Sequence, residues 1–251
     1  MRKDEILRLL RTLQRELKVE ELARMLTVSP LSIRRDLSKL HEERAIIRTH
    51  GGCMVAGRAA LETEYHLKVG HHFDLKHSIG RLAADQVVAG STLLINDGST
   101  TFHLTTHLAH KAPLTVYTNS LAMIAELGRV RDIELYILGG KYISDLYSLR
   151  GSLTEHVLEL LSIDVVFLGA DAIDEEGRCL ASNPEEANLT KAMLRSGRKK
   201  ILLADHTKLN AEGHFVYGTL QEFDLWITSQ GLDESTLNNL ATKVEIVEAK
   251  P

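Results

Sequence analysis

The sequence predicts an α/β protein in two parts, an N-terminal winged helix-turn-helix domain and a larger domain with a mostly parallel, doubly wound sheet. A basic amphipathic helix near the N-terminus predicts the first part. Short apolar runs that alternate with helical periodicity predict the second. Charge divides the chain in the same way, because residues 1–60 carry a net charge of +5 and the remainder −9. We expect a DNA-binding domain over residues 1–57, a linker over 58–75 and an α/β domain over 76–251.

Apolar residues at helical spacing predict three helices in the first domain, over residues 4–17 and 19–26 and from Pro30 onward. Ser29 is a suitable N-cap for the third helix, and proline is well tolerated at the first helical position, where no N–H is needed. Only two residues separate the second helix from Ser29, so the two helices must cross steeply, as in a helix-turn-helix. Residues 46–55 favour two short strands joined by a Gly-Gly turn, which would form a wing.

The third helix has one apolar and one cationic face. Ile33, Leu37 and Leu40 recur at helical spacing and form its buried stripe. The opposite face suits the major groove of DNA, where arginine bonds guanine or neutralises a phosphate. Asp36 lies toward the apolar side, and we expect it to pair with a nearby basic side chain rather than to touch DNA. The residues expected to contact DNA are Ser29, Ser32, Arg34, Arg35, Ser38, Lys39, Arg48 and His50.

The second domain alternates strands with helices, which argues for a mostly parallel sheet covered on both faces. The runs that favour strands are residues 92–96, 114–118, 133–138, 165–169, 200–204, 225–228 and 244–247. Helical patterns fall over residues 77–88, 101–110, 119–128, 152–161, 185–197 and 233–241. Ligands of such sheets bind outside the carboxyl ends of the strands, so the residues at those ends are candidates for a binding site.

The end of the first of these strands suits a phosphate group. There the sequence NDGSTT runs into a helix and supplies a glycine turn, hydroxyls and outward-facing backbone N–H groups. Other strand ends and a nearby helix add polar residues to the same rim. The candidate ligand-binding residues are Asp97, Gly98, Ser99, Thr100, Thr101, Asn119, Gly139, Gly140, Asp171, Glu185, Glu186, Lys191 and Lys208. Turn chemistry alone explains Gly139 and Gly140 equally well.

Two sets of motifs resemble the DeoR family of bacterial transcriptional regulators. The first is ELARMLTVSPLSIRRDLSKL followed by IIRTHGG, which departs from the family pattern at Ser32 and Cys53. The second is NDGSTT, TNS, LGGKY, FLGADAIDEEG, EEANLTKAM and LADHTKL, which resembles the family's C-terminal sensor domain. That sensor domain is in turn similar to ribose-5-phosphate isomerase. The resemblance implies a repressor of a carbohydrate-use operon whose effector is a phosphorylated sugar or a close metabolite.

The same resemblance implies roles for individual residues. Residues 97–101 would bind the phosphate, and Lys76 matches a lysine that precedes the first helix of the family's sensor domain. The residues that would face the sugar or hold the pocket are Asp171, Glu185 or Glu186, Lys191 and Lys208. Binding of the effector would favour one placement of the DNA-binding domains and so change the affinity for operator DNA.

Catalysis by the second domain is not expected. Isomerisation of an aldose needs a carboxylate base and a cation that stabilises the enediolate. The isomerase carries a run with lysine and glycine after its acidic loop, whereas residues 179–184 here, CLASNP, contain neither. Bound sugar should therefore stay unreacted. Two alternatives stay open: an active sugar-phosphate isomerase with an accessory DNA-binding head, and a constitutive architectural DNA-binding protein whose second domain only forms oligomers.

The sequence predicts no cofactor and no metal site. His103 and His107 have a spacing that can bind metal, but exposed or hydrogen-bonded histidines are the simpler explanation. No run of 18 apolar residues and no signal peptide is visible, and Cys53 and Cys179 lack CxxC partners, so we expect a cytoplasmic protein. Its expected partners are operator DNA, a phosphorylated sugar and further copies of itself as a dimer or tetramer, with no membrane.

Overall fold

The computed structural model describes residues 2–13, 17–42, 46–49, 52–55, 65 and 68–250. The chain divides into two compact units, one of residues 1–67 with 144–146 and the other of residues 68–143 with 147–251. The second unit therefore begins at residue 68, whereas the sequence predicts a linker up to residue 75. The first long helix of this unit begins at Phe73, inside the segment predicted as linker. No helix within the described ranges has both the length and the apolar character needed to cross a membrane.

The first unit combines helices with a small antiparallel sheet. Its described elements are α1 (Arg2–Leu13), β1 (Leu17–Lys18), α2 (Val19–Met25), α3 (Pro30–Glu42), β2 (Ile46–Thr49) and β3 (Gly52–Val55), with a 3₁₀ helix at Ser144–Leu146. β2 and β3 form the predicted hairpin, with Ile46 opposite Val55. β1 pairs with the other edge of β3, with Leu17 opposite Cys53. The prediction that the first helix extends to residue 17 is therefore wrong, since Leu17 lies in β1. A single apolar residue such as this one fits a helix stripe and a buried strand position equally well.

The helices of the first unit pack around the apolar stripe of α3. Ile33, Leu37 and Leu40 are at most 1% exposed and belong to one buried cluster with Ile6 of α1 and Leu22 of α2. This confirms the stripe that the sequence predicts. Because α3 buries this side against the other helices, its basic side is the one that faces solvent.

The second unit contains one large sheet, two small antiparallel pieces and covering helices. Its described strands are β4 (Thr92–Ile95), β5 (Leu114–Thr118), β6 (Ile133–Ile137), β7 (Lys141–Ile143), β8 (Ser148–Arg150), β9 (Ile163–Leu168), β10 (Ala172–Ile173), β11 (Arg178–Ala181), β12 (Gly197–Leu203), β13 (Phe215–Thr219), β14 (Leu225–Ser229) and β15 (Glu245–Ala249). Its described α-helices are α4 (Phe73–Ala84), α5 (Ser99–Thr105), α6 (Met123–Leu127), α7 (Ser152–Leu158), α8 (Pro184–Ser196) and α9 (Glu234–Ala241). Short 3₁₀ helices lie at Leu108–Lys111, His206–Lys208 and Leu220–Glu222.

The large sheet has the strand order β15-β14-β12-β9-β4-β5-β6, and every neighbouring pair is parallel. These are the seven strands that the sequence predicts. Helices cover both faces: Phe167 of β9 shares a buried cluster with Ile79 of α4 and Leu104 of α5, whereas Leu168 shares the other with Met193 of α8. The second unit is therefore a doubly wound α/β domain, and the carboxyl ends of its strands form one rim.

The differences from the predicted elements lie mostly after the strand ends. α6 covers Met123–Leu127 rather than 119–128, because Asn119 instead bonds the carbonyl of Leu149 through its side chain. The β7–β8 hairpin and the sheet formed by β10, β11 and β13 are not predicted by the sequence. Their strands are two to five residues long, which is too short for a clear alternation of apolar and polar residues.

Candidate functional site

α3 presents the basic surface of the first unit. Arg35 and Lys39 are exposed, and neither makes a hydrogen bond or an ion pair with another described residue. Arg34 is also exposed, but its Nη2 lies 3.6 Å from Oε1 of Glu20 on α2. Arg35 and Lys39 are therefore readily available to a phosphate or a base, whereas Arg34 is already held by an ion pair.

The serines of α3 make local hydrogen bonds. Ser29 caps the helix, since its Oγ accepts from the backbone N–H of Ser32 at 3.2 Å and lies 3.0 Å from the Oγ of Ser32. Ser38 donates its hydroxyl to the carbonyl of Arg34 at 3.0 Å. A DNA contact by any of these serines would be additional to these bonds.

The remaining predictions for the first domain have different outcomes. Asp36 forms an ion pair with Arg2 of α1, which confirms that it pairs with a basic side chain. Arg48 lies in β2, where its backbone is opposite Cys53. His50 lies outside the described residues. The structure thus provides the helix pair and the hairpin that a winged helix-turn-helix requires.

A cleft opens at the carboxyl ends of the central strands of the large sheet. It encloses about 420 Å³, its open mouth included. Its lining residues are Asn96, Gly98, Ser99, Thr100, Gly169, Ala170, Asp171, Leu180, Ala181, Glu186, Thr190, Lys208 and Tyr217. Six of the predicted ligand-binding residues therefore lie together: Gly98, Ser99, Thr100, Asp171, Glu186 and Lys208. They meet because β4, β9 and β12 are neighbours in the sheet.

Asn96 organises the loop that follows β4. Its Oδ1 accepts from the backbone N–H of Gly98 at 3.4 Å, from that of Gly169 at 3.2 Å and from the Oγ1 of Thr101 at 3.1 Å. One side chain thus ties this loop to the end of β9. The space at Gly98 is tight, because an added Cβ would lie 3.0 Å from Oγ1 of Thr101 and 3.2 Å from Oδ1 of Asn96. Sequence reasoning missed the role of Asn96, since Gly169 lies 73 positions away.

Two lysines bring positive charge to one end of the cleft. Lys76 on α4 is 4% exposed, and its Nζ donates to Oγ of Ser99 at 3.0 Å and to the carbonyl of Lys68 at 2.6 Å. Burial and the charge of Lys208 lower the pKa of Lys76 to about 8, which Asp205 offsets in part. Among the described residues, no carboxylate forms an ion pair with either Lys76 or Lys208. An anion between them would relieve their repulsion.

Arg150 is a buried residue beside the cleft that sequence reasoning missed. It is 3% exposed, and its guanidinium joins three elements: Nη2 donates to Oδ2 of Asp97 at 3.0 Å, and Nη1 donates to Oε2 of Glu186 at 3.3 Å. Asp97 therefore supports the wall of the cleft rather than lining it. No local signal could have identified this arginine, because its two partners lie 53 and 36 positions away in the sequence.

Asp171 and Glu186 form a carboxylate pair that lines the cleft. Burial and the charge of Asp171 raise the pKa of Glu186 to about 7, although Arg150 partly opposes this rise. Asn183 caps α8 by accepting from the N–H of Glu186 at 2.9 Å, and its Nδ2 donates to Oε2 of Glu186 at 3.1 Å. Ser182 donates to Oδ2 of Asp171 through its N–H at 2.8 Å and its hydroxyl at 2.6 Å. The segment CLASNP thus fixes the two carboxylates.

Two other residues predicted on α8 do not line the cleft. Glu185 and Lys191 are exposed, and Oε1 of Glu185 lies 3.9 Å from Nζ of Lys141. Helix geometry explains this placement: Glu186 and Thr190 are four residues apart, so they share the face that lines the cleft. Glu185 and Lys191 lie one position to either side of that pair and point away from it.

Three predicted residues at other strand ends have structural roles. Asn119 is fully buried, and its Nδ2 donates to the carbonyl of Leu149 at 3.2 Å. Gly140 has a φ of 153°, and an added Cβ would lie 2.3 Å from Oγ1 of Thr154. Thr154 in turn donates to the carbonyl of Gly139 at 2.6 Å. Backbone conformation and close packing therefore account for Gly140, whereas an added Cβ at Gly139 would meet no atom within 4 Å.

Three histidines of the second unit, His77, His103 and His107, lie near one another. His103 is buried with its Nε2 3.0 Å from the carbonyl of Val69, and burial lowers the pKa of this histidine. The ring of His77 lies 4.8 Å from that of His107 and 6.2 Å from that of His103, measured between centroids. Across the described ranges, no group of three or more His, Cys, Asp or Glu residues is arranged to hold a metal ion.

Comparison with known proteins identifies several similar chains. The HTH-type transcriptional repressor GlcR of Bacillus subtilis is 33% identical over 84% of this chain and 81% of its own. The transcriptional repressor AccR of Agrobacterium fabrum is 29% identical over 92% of this chain and 89% of its own. The glycerol-3-phosphate regulon repressor of Escherichia coli is 29% identical over 82% and 81%. Ribose 5-phosphate isomerase A from Neisseria gonorrhoeae is 18% identical over 55% of this chain and 53% of its own, with a TM-score of 0.39.

Both parts of the chain also match domain families. Residues 2–58 match the DeoR-like helix-turn-helix domain, and residues 71–230 match the DeoR C terminal sensor domain. The named relatives are transcriptional repressors, in agreement with the expectation that this chain is not an enzyme. By its helix-turn-helix domain, its sensor domain and its relatives, the chain belongs to the DeoR family of transcriptional regulators.

Proposed function

We propose that this regulator represses a carbohydrate-use operon and that a phosphorylated sugar, bound in the cleft of the second unit, controls its affinity for operator DNA. The observation that carries the proposal is the pair formed by Lys76 and Lys208. The charge of Lys208 destabilises the charge of the buried Lys76, and Asp205 offsets this effect only in part. Neither lysine forms an ion pair with a carboxylate among the described residues. A phosphate group is the anion best matched to two ammonium groups and to the adjacent hydroxyls.

The surroundings of the lysines support phosphate recognition. Ser99 lies between Lys76 and the cleft, and it offers a hydroxyl whose oxygen already accepts from Lys76. Thr100 also lines the cleft. Asp205 is fully buried, and its Oδ2 has no hydrogen-bond partner within the described residues, so it can accept from a further hydroxyl or from water.

The exposed cations of the first unit support binding to operator DNA. Arg35 can donate two hydrogen bonds to a guanine in the major groove, and Lys39 can neutralise a phosphate. Regulators of this type commonly read pseudo-palindromic sites with two copies of the recognition helix, so we expect a homo-oligomer. A cytoplasmic location follows from binding to the operator of a bacterial operon and stays a prediction.

Control of DNA binding requires that the ligand distinguish two states of the protein. A bound sugar phosphate changes operator affinity only by the ratio of its affinities for the DNA-bound and the free regulator. The name of one relative, the glycerol-3-phosphate regulon repressor of Escherichia coli, associates that protein with a phosphorylated polyol. The proposal extends this chemistry to the lysine end of the cleft in the present chain.

A mobility-shift experiment tests the proposal. Full-length protein is titrated onto the DNA upstream of its own operon, alone and with a panel of sugar phosphates or inorganic phosphate. We expect at least one sugar phosphate to change the DNA affinity tenfold or more and Lys208→Gln to lose most of that response. Lys191→Gln is the matched control, because Lys191 is exposed on α8 outside the cleft. If no phosphorylated compound alters DNA affinity, control by a sugar phosphate is wrong.

A further inference from the structure

The charges that line the cleft are separated by sign. Lys208 lies in the lining, and its charge acts on Lys76 behind Ser99. Asp171 and Glu186 also lie in the lining, and the charge of Asp171 acts on Glu186. The cleft therefore brings together one pair of like positive charges, which Asp205 offsets in part, and one pair of like negative charges. Each pair favours a ligand group that relieves its own repulsion.

Each carboxylate is fixed through one oxygen and leaves the other available. Oδ2 of Asp171 accepts from Ser182, whereas its Oδ1 has no hydrogen-bond partner among the described residues. Oε2 of Glu186 accepts from Arg150 and Asn183, whereas its Oε1 likewise has no partner in the described part of the chain. An ionised carboxylate oxygen can only accept hydrogen bonds. Above the pKa of Glu186, where both carboxylates are ionised, the ligand group at this end must therefore supply donors.

No cation at this end is free to bind a negative group. Arg150 is 3% exposed and is shared by Asp97 and Glu186. Residues 179–184 contain no lysine or arginine. Lys208 is the only cation that lines the cleft within the described ranges, and the phosphate of the ligand would occupy it. A second negative group on the ligand would meet two carboxylates without a counter-ion.

We propose, on the basis of the proposed function, that the cleft selects phosphorylated sugars and polyols whose far end carries neutral hydroxyl donors, and that Asp171 and Glu186 exclude the corresponding phosphorylated sugar acids. Hydroxyl groups donate to Oδ1 of Asp171 and Oε1 of Glu186. A terminal carboxylate on the ligand has no hydrogen to donate to these oxygens, and it adds like-charge repulsion in a partly buried site.

Matched ligands test this inference. Binding to the full-length protein is measured by titration calorimetry at pH 8 for four-, five- and six-carbon series, each with the aldose phosphate, the alditol phosphate and the aldonate phosphate. Inorganic phosphate serves as the probe of the lysine end. We expect the aldonate phosphate of each binding series to bind at least tenfold more weakly than the alditol phosphate. Equal or tighter binding of the acids overturns the inference.

The outcomes also separate this inference from the proposed function. If nothing in the panel binds, phosphate recognition fails, and the inference fails with it. If inorganic phosphate binds but no alditol phosphate binds more tightly, phosphate binding beside the two lysines is supported and selection of hydroxyl donors is wrong. If acids and alditols bind equally well, sensing of phosphorylated compounds stands and the exclusion of acids is wrong.

Variants assign the selectivity to the carboxylates. Glu186→Gln and Asp171→Asn keep side-chain shape and remove charge, so each is expected to reduce the alditol-to-aldonate affinity ratio at least threefold. Glu185→Gln is the matched control, because Glu185 is exposed outside the cleft, and it should leave the ratio unchanged. A purely structural role of Glu186 would weaken both ligands alike and leave the ratio as it is, which would count against the inference.

The pH dependence of the same ratio gives an independent readout. Glu186 faces Asp171 from the loop after β9 and Arg150 from β8, with Asp97 beyond the arginine. Protonation of Glu186 removes one of the two repelling charges, so the ratio should fall as pH decreases from 8 to 6. Both ligands carry the same phosphate, so titration of the phosphate cancels in the ratio. A ratio that is constant with pH in the native protein would contradict a role of the Glu186 charge.

Discussion

The basic face of α3 and the cleft of the second unit hold their positive charges in opposite ways. Arg35 and Lys39 are exposed and have no partner among the described residues. Arg150 is 3% exposed and is shared by two carboxylates, Asp97 and Glu186. Exposed cations cost folding little and remain available to a polyanion, whereas a buried cation needs its counter-ions for the fold to be stable. The comparison shows that burial and partners, rather than residue type, decide which arginines can bind a ligand.

The largest expected effect concerns Arg150. Replacing it in the variant Arg150→Met leaves the carboxylates of Asp97 and Glu186 partly buried without a cation. We expect the free energy of unfolding of the second unit to fall by about 3–5 kcal/mol at pH 7.5. Denaturant unfolding of the full-length protein, followed by the fluorescence of the buried Trp226, measures this loss.

An exposed arginine in the same unit provides the control. Arg178 is 51% exposed, although its Nε lies 2.6 Å from Asp174 and its Nη2 lies 2.7 Å from Glu176. Arg178→Met should therefore leave the free energy of unfolding nearly unchanged, because exposed ion pairs contribute little. Similar losses of unfolding free energy in the two variants would show that burial does not make the ion pairs of Arg150 more stabilising than exposed ones.

The next effect is the pH dependence of stability caused by Glu186. Its pKa in the folded protein is raised to about 7 from the ordinary value of 4.5, so the folded state binds its proton more tightly than the unfolded state does. Stability from this group therefore falls as pH rises from about 4.5 to 7 and stays low above that range. The penalty reaches about 3 kcal/mol once the group is ionised.

The variant Glu186→Gln isolates this contribution. The difference in unfolding free energy between Glu186→Gln and the native protein should increase in favour of the variant between pH 5 and pH 7.5. Glu185→Gln should show no such trend, since Glu185 is exposed and lies outside the cleft. Parallel curves for the native protein and Glu186→Gln would mean that Glu186 is ionised throughout this range.

Substitutions on the basic face of α3 should have a smaller effect, on operator binding, and the effect should differ between Arg35 and Arg34. We expect Arg35→Ala to weaken operator binding by about 1–3 kcal/mol, and to relax sequence specificity if Arg35 contacts a base. Arg34→Ala should weaken operator binding less, because Arg34 is paired with Glu20. Mobility shifts with operator and unrelated DNA at one fixed salt concentration measure both quantities. A larger loss for Arg34→Ala would reverse the assignment.

The features that the sequence could predict are those that follow from local patterns. The stripe of Ile33, Leu37 and Leu40 and the seven strands of the large sheet were predictable, because burial imposes a local period on the sequence. Placement of Asp171 and Lys208 at one rim was also predictable, because they follow neighbouring strands of a parallel sheet, whose carboxyl ends meet at one edge. The resemblance to the DeoR family supplied Lys76, whose neighbour Ser99 is far away in the chain.

The parts that could not be predicted depend on contacts between distant residues. Arg150 ends a strand of only three residues, and nothing local in its sequence indicates that it is buried between two carboxylates. The sequence predicts Lys191 as a ligand-binding residue, but it is exposed outside the cleft. One position along α8 rotates a side chain by about 100° around the helix axis. Helix phase relative to a cleft is set by packing, which motif spacing does not contain.

The smallest expected effect tests whether the basic face of α3 depends on its cap. Ser29→Ala removes the hydroxyl that accepts from the N–H of Ser32, and it should destabilise the start of α3 by about 1 kcal/mol. Hydrogen exchange in the full-length protein should show lower protection in the first turn of α3. Ser38→Ala is the matched control, because its hydroxyl bonds the carbonyl of Arg34 within the helix, and alanine favours the helix at that position. If both variants reduce protection equally, the cap does not fix the helix start. Because Arg35 has no ion pair to hold it among the described residues, the helix backbone alone orients it, and fraying from Ser29 should then weaken operator binding as well.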